Sequence, residues 1–139
     1  MWAFYLREVD SKKGAGVIYN FVNRLLPVTI RKGDNVYIAG PMTGRPDFNA
    51  EAFKRVETYV VGRYGCNVVN PINLPHVMGF NRSHTDYLIV CMGLVRTSDA
   101  IILLPDWEDS VGARVEVVCA INNKKRVYEY VEHRTVQGN

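Results

Sequence analysis

The stretch Ala100–Ala120, AIILLPDWEDSVGARVEVVCA, decides the fold. Ile101–Leu104 is a short apolar run of strand length, and Pro105–Gly112 is rich in turn and polar residues. Ala113–Ile121 then reads as a helix that is apolar almost all round, which predicts burial on more than one side. A single acidic side chain interrupts it. Glu116 lies three residues after Ala113 and four before Ala120, so it shares a helical face with small apolar neighbours. A carboxylate placed one turn inside such a helix suits a nucleophile or a general base, and the plainer alternative is a structural Glu paired with a Lys or Arg elsewhere.

Working outward from this unit, the same pattern recurs. Val36–Gly40 (VYIAG) is a short strand that enters the loop Gly40-Pro41-Met42-Thr43-Gly44-Arg45. Two glycines, a hydroxyl and a cation there can bring backbone N–H groups to an anion. The spacing is neither a dinucleotide fingerprint nor a P-loop, and a plain strand-to-helix turn with an exposed Arg remains open. Asn49 is the expected N-cap of a helix whose apolar stripe is Phe53, Val56 and Val60, ending near Gly62–Gly65. Cys66–Val69 is the next strand, residues 72–82 read as a loop, and Asp86 to about Thr97 is a largely apolar helix. Arg126–Tyr130 supplies a last strand.

Strands that alternate with helices predict a parallel sheet with right-handed crossovers. Ligands of such sheets bind beyond the carboxyl ends of the strands, where strand order reverses. That rule gathers the Gly40–Arg45 loop, the turn after Val69 and the Pro105–Gly112 loop around one crevice, with Glu116 on the helix leaving it. Residues 1–35 are less patterned: Trp2–Val9 has strand character, Val17–Leu26 has helical spacing closed by Pro27, and Gly33-Asp34-Asn35 is a turn signal. They are expected to form an N-terminal extension packed on a main domain of residues 36–130, followed by a tail of residues 131–139.

Composition narrows the function classes. A chain of 139 residues fits one domain, and no apolar run reaches the roughly 20 residues that span a bilayer. Trp2–Leu6 is too short for a signal-peptide core and precedes Glu8 and Asp10, which points to a cytoplasmic protein. The net charge is +3, and Lys12–Lys13 and Lys124–Arg126 read as solvated faces, so no nucleic-acid polymer is expected as partner. Cys66, Cys91 and Cys119 lack metal-ligand spacing and read as reduced, buried thiols. His76, His84 and His133 form no sequence cluster, and no metal or organic cofactor is expected.

Several of these pieces resemble the nucleoside 2-deoxyribosyltransferase-like superfamily, and within it the DUF4406 family of small proteins common in phages and bacteria. The resemblance rests on Tyr37-Ile38-Ala39-Gly40-Pro41-Met42-Thr43-Gly44, on Asn70-Pro71, and on Asp99 before an apolar strand. It continues through Leu104-Pro105-x-Trp107-x-x-Ser110-x-Gly112-Ala113-x-x-Glu116 and covers roughly residues 36–130. It implies a flavodoxin-like three-layer α/β domain that cleaves an N-glycosidic bond by hydrolysis or by transfer to a second base. By the same resemblance Glu116 is the nucleophile and Tyr37 positions it. Gly40, Met42, Thr43, Gly44, Arg45, Trp107, Ser110 and Gly112 contact the substrate, a nucleoside or its 5′-monophosphate. Ser110 and the Gly44-Arg45 step resemble the members that act on monophosphates. Superfamily members also share pockets between subunits, so a homo-oligomer, dimer or higher, is expected. Were the chain phage-encoded, the host cytoplasm would be its compartment.

Each carried-over residue has a plainer alternative. Tyr37 suits simple packing, Ser110 a helix cap, Trp107 a lid or a surface contact, and Asp99 the closing of the preceding helix. One departure bears on chemistry. Where the superfamily carries an Asp, eight residues ahead of Asp99, this chain has Cys91. Asp86 lies five residues earlier, about 140° away around a helix, and enters as the substitute acid only through a local shift. The rival function is therefore a nucleotide-binding protein, a sensor or sequestering protein without turnover. A protein that uses the old fold only as an interaction surface is the third possibility.

Overall fold

Alternation along two short strands builds the core. In β2 (Asn35–Ala39) Val36 and Ile38 face one side of the sheet, and Tyr37 and Ala39 face the other. In β4 (Ala100–Leu103) every residue is buried, as expected for a strand covered on both faces. The computed structural model describes residues 2–9 and 28–134. Five strands form one sheet in the order β1 (Trp2–Glu8), β5 (Arg126–Arg134), β4, β2, β3 (Asn67–Val69). The last four are mutually parallel, and β1 runs antiparallel to β5. The class is thus α/β with a mostly parallel sheet, as the strand–helix alternation predicts.

Helices cover both faces. Phe53, Val56 and Val60 of α1 (Ala50–Tyr64) pack with Val36, Ile38, Ala100 and Ile102 on one face. Cys91 and Val95 of α3 (His84–Thr97) and Ala113, Val117 and Ala120 of α4 (Val111–Asn122) pack with Tyr37, Ala39, Ile101 and Leu103 on the other. The chain steps from β2 outward to β3, then back across β2 to β4 and on to β5. Right-handed crossovers place α1 and the α3–α4 pair on opposite faces for that reason. The reversal between β2 and β4 is the switch point, and a crevice opens beyond their carboxyl ends.

Three sequence expectations change in detail. The strand at the start of the chain is hydrogen-bonded into the sheet as its edge, with Trp2 opposite Arg134 and Glu8 opposite Tyr128. Arg7 and Glu129, direct partners in that register, also form an ion pair at 2.6 Å. The segment expected to be a loop contains a short helix, α2 (Leu74–Met78), because Pro75 sits at a first-turn position where its missing N–H costs nothing. Asn49 precedes α1 but does not cap it. Its backbone is left-handed, and its side-chain amide donates to the Pro41 carbonyl at 2.9 Å. The helix expected at Val17–Leu26 lies outside the described residues.

Candidate active site

The crevice is shaped first by a close approach of backbone. A Cβ at Gly40 would stand 2.7 Å from the Leu104 side chain, so only glycine lets the end of β2 lie against the end of β4. The Leu104 amide donates to the Ala39 carbonyl at 2.8 Å and fixes that approach. The loop then turns through Gly44, at φ +79°, and through Asp47, Phe48 and Asn49, all left-handed. Three consecutive non-glycine residues in that region are costly, at about 1–2 kcal/mol each. The Asn49–Pro41 hydrogen bond holds the segment, and Phe48 stands exposed at the crevice wall.

From the other side, α4 enters at Ser110, whose hydroxyl accepts from the Ala113 amide at 3.1 Å. This is the capping role foreseen for Ser110, and the residue also lines the cavity. At the second position of the helix Gly112 presents no side chain, and one turn further Glu116 forms the floor. A cavity of about 290 Å³ results, lined by Gly40, Met42 and Thr43 from the first loop and by Ser110, Gly112, Ala113 and Glu116 from α4. Pro71, Leu74, His84, Tyr87, Leu88 and Cys91 close it. A wider hollow of about 540 Å³ adjoins, sharing Met42, Phe48, Pro75 and Tyr87 and reaching Asn70, His76 and Phe80.

Glu116 is the electrostatic centre. Only 6% of it is exposed, and burial lifts its carboxyl from 4.5 to about 7, with Tyr37 opposing part of the rise. The Tyr37 hydroxyl, wholly buried in β2, lies beside this carboxylate and the Cys91 thiol. Neither Tyr37 Oη nor Glu116 Oε2 makes an aligned hydrogen bond. Burial, with the neighbouring Glu116 charge second, pushes the Tyr37 phenol well up and the Cys91 thiol to about 11. No Lys or Arg lines the cavity, and Glu116 has no basic partner among the described residues. The paired structural Glu that the sequence left open is not what is found.

Other sequence candidates lie elsewhere. Asp86 is exposed on the first turn of α3, where its carboxylate accepts from the Ser83 amide at 3.3 Å while Ser83 Oγ accepts from the Asp86 amide at 3.1 Å. It is half of a capping box and does not line the cavity. Arg45 reaches Asp106 and Asp109 at 3.5 and 3.6 Å, and its guanidinium is turned to these carboxylates. Trp107 is neither a lid nor a surface contact. It is fully buried with Cys91, Ala113 and Val117 and supports α4 from behind. Asp99 accepts from the Asn35 amide at 2.8 Å and joins the starts of two strands. Sequence reasoning missed His84, Tyr87 and Phe48. The Ser83-x-x-Asp86 spacing was the available signal for His84, since it starts α3 two residues earlier and makes His84 a helix residue.

A family model described as "Domain of unknown function (DUF4406)" matches residues 34–129. The chain belongs to the DUF4406 family. The DUF4406 match runs from the turn before β2 into β5, so β1 lies outside it. No curated protein matches the chain. Among solved structures it is similar to a "2-desoxiribosyltransferase from Leishmania mexicana", at 20% identity and a TM-score of 0.54. The alignment covers 69% of this chain and 63% of that one, so the DUF4406 chain spans less than two thirds of its neighbour's length. What the two share is the fold. No helix among the described residues is long and apolar enough to cross a membrane.

Proposed function

We propose that this protein cleaves the N-glycosidic bond of a nucleoside or nucleoside 5′-monophosphate, with Glu116 as nucleophile. The supporting observation is one unpaired carboxylate on the floor of a cavity at the sheet's switch point. Glycosidic cleavage passes through an oxocarbenium-like state that a carboxylate traps covalently. Water then completes a hydrolysis, or a second base completes a transfer. Tyr37 holds the carboxylate in place from below. Gly40, Met42, Thr43, Ser110 and Gly112 wall the sugar, and the adjoining hollow gives the base room. A 5′-phosphate would meet Ser110 and the amides that open α4, and it would have to draw Arg45 from Asp106 and Asp109.

Incubating the purified protein with a panel of nucleosides and 5′-monophosphates tests this reading by chromatography for free base. Release by the wild type and none by Glu116→Gln is expected. Cys91 in the cavity favours a second reading, a nucleotide binder without turnover, because a thiol raised to about 11 is a poor proton donor. Intact substrates with a nucleotide-dependent rise in melting temperature would select it. The function proposed belongs in the cytoplasm, in keeping with the free thiols. A homo-oligomer is part of the same reading: Ile89 on α3 and Val111 on α4 are exposed apolar side chains that a second copy would cover. Light scattering should give at least twice the chain mass.

A further inference from the structure

Cleavage also needs a proton for the departing base, and neither the acid considered from the sequence nor the residue at the superfamily's Asp position supplies it: Asp86 is outside the cavity and Cys91 is a high-pKa thiol. Of the hydroxyls in the lining, Tyr87 donates to the Gly79 carbonyl, Ser110 caps α4, and Thr43 is an alkyl alcohol, too weak an acid to serve a leaving nitrogen. His84 differs from all of them. It is the first residue of α3, exposed to solvent, and makes no hydrogen bond or ion pair among the described residues. A Cβ at Gly112 would stand 3.8 Å from His84 Cε1 and 4.0 Å from Nε2. The imidazole therefore faces α4 across the space that Gly112 leaves empty.

Gly112 precedes Glu116 by four residues, about 6 Å along the helix axis and on the same face. His84 thus sits at the rim, one turn above the carboxylate on the floor. Paired groups in retaining glycosidases work across a gap of about 5 Å, with one attacking carbon and the other serving the leaving atom. Resting on the reading of Glu116 as nucleophile, we infer that His84 is the acid that protonates the leaving base.

The step balances. Glu116 forms a bond to the anomeric carbon as the carbon–nitrogen bond breaks, and the bonding pair goes to the base nitrogen. The imidazolium gives that nitrogen its proton and becomes neutral. In hydrolysis water then attacks the anomeric carbon, displaces the Glu116 carboxylate and returns a proton to His84.

The test compares two leaving groups on the sugar that the wild type cleaves: a natural base, and 4-nitrophenolate, which departs without protonation. With His84→Gln, kcat/KM for the base substrate should fall about 100-fold or more, the usual scale for a lost general acid. The nitrophenyl glycoside should lose less than about threefold in the same variant. Glu116→Gln should lose both. Thermal melting of each variant confirms that it is folded. Equal losses on the two substrates, or no loss on either, would overturn the role of His84 while leaving Glu116 standing. No cleavage of any substrate by the wild type would overturn both assignments together.

Discussion

Glu116→Gln keeps the shape of the side chain and removes its charge, so it isolates the cost of burying that carboxylate. The folded-state pKa is about 7 against 4.5 for an exposed Glu. A raised value means that the folded chain keeps a proton where the unfolded chain has released it. The associated stability is fully present below pH 4.5 and is lost as pH rises through 7. At about 1.4 kcal/mol per unit the whole shift amounts to about 3 kcal/mol. Roughly 2.5 kcal/mol of it is lost between about pH 5 and pH 8. Glutamine has no proton to lose, and every other ionisable group is common to both chains and cancels in the difference. The stability of the variant relative to wild type should therefore improve by about 2.5 kcal/mol over that interval. Urea unfolding at the two pH values measures it. A gap that changes by less than about 0.5 kcal/mol would refute the claim that burial governs this carboxylate. The same titration should appear in catalysis, with kcat/KM for the 4-nitrophenyl glycoside, whose leaving group needs no acid, rising as pH passes about 7 and Glu116 ionises.

Gly40→Ala should destabilise by about 1–3 kcal/mol, since its Cβ would collide with Leu104 between two buried strands. Gly93→Ala, at an exposed position of α3 where nothing lies within 4 Å, should stabilise by up to about 1 kcal/mol, so paired melting curves separate the two effects. Asp106→Asn with Asp109→Asn should free Arg45 and lower KM for 5′-monophosphates while leaving KM for nucleosides unchanged. An unchanged ratio of the two KM values would remove Arg45 from substrate recognition.

The periodicities that were legible are those the backbone imposes locally. The β2 and β4 runs, the α1 stripe of Phe53, Val56 and Val60, and the lone Glu116 on an apolar helix were readable because strand and helix spacing alone place them. The topology rule for parallel sheets then gathered Gly40, Met42, Thr43, Ser110, Gly112 and Glu116 around one cavity. Direction and partnership were not legible. Trp107 lies in a polar stretch, and nothing local says that its ring turns inward beneath α4. Arg45 looked available because its two carboxylate partners lie more than sixty residues on. Asp86 looked catalytic until the Ser83 cap claimed it. His84 stayed hidden because its role depends on an absent side chain at Gly112, on a different helix.

The pairing of β1 with β5 has a consequence for the order in which the molecule is completed. Arg7 and Glu129 are 122 residues apart in sequence, yet they face each other in the same ladder. On the ribosome β1 is made long before β5, the strand it pairs with. Until β5 emerges, β1 has no partner in the sheet, and β4 is left as an edge open to strands of other chains. β1 is thus made early but docks late, and once paired with β5 it takes over as the edge of the sheet.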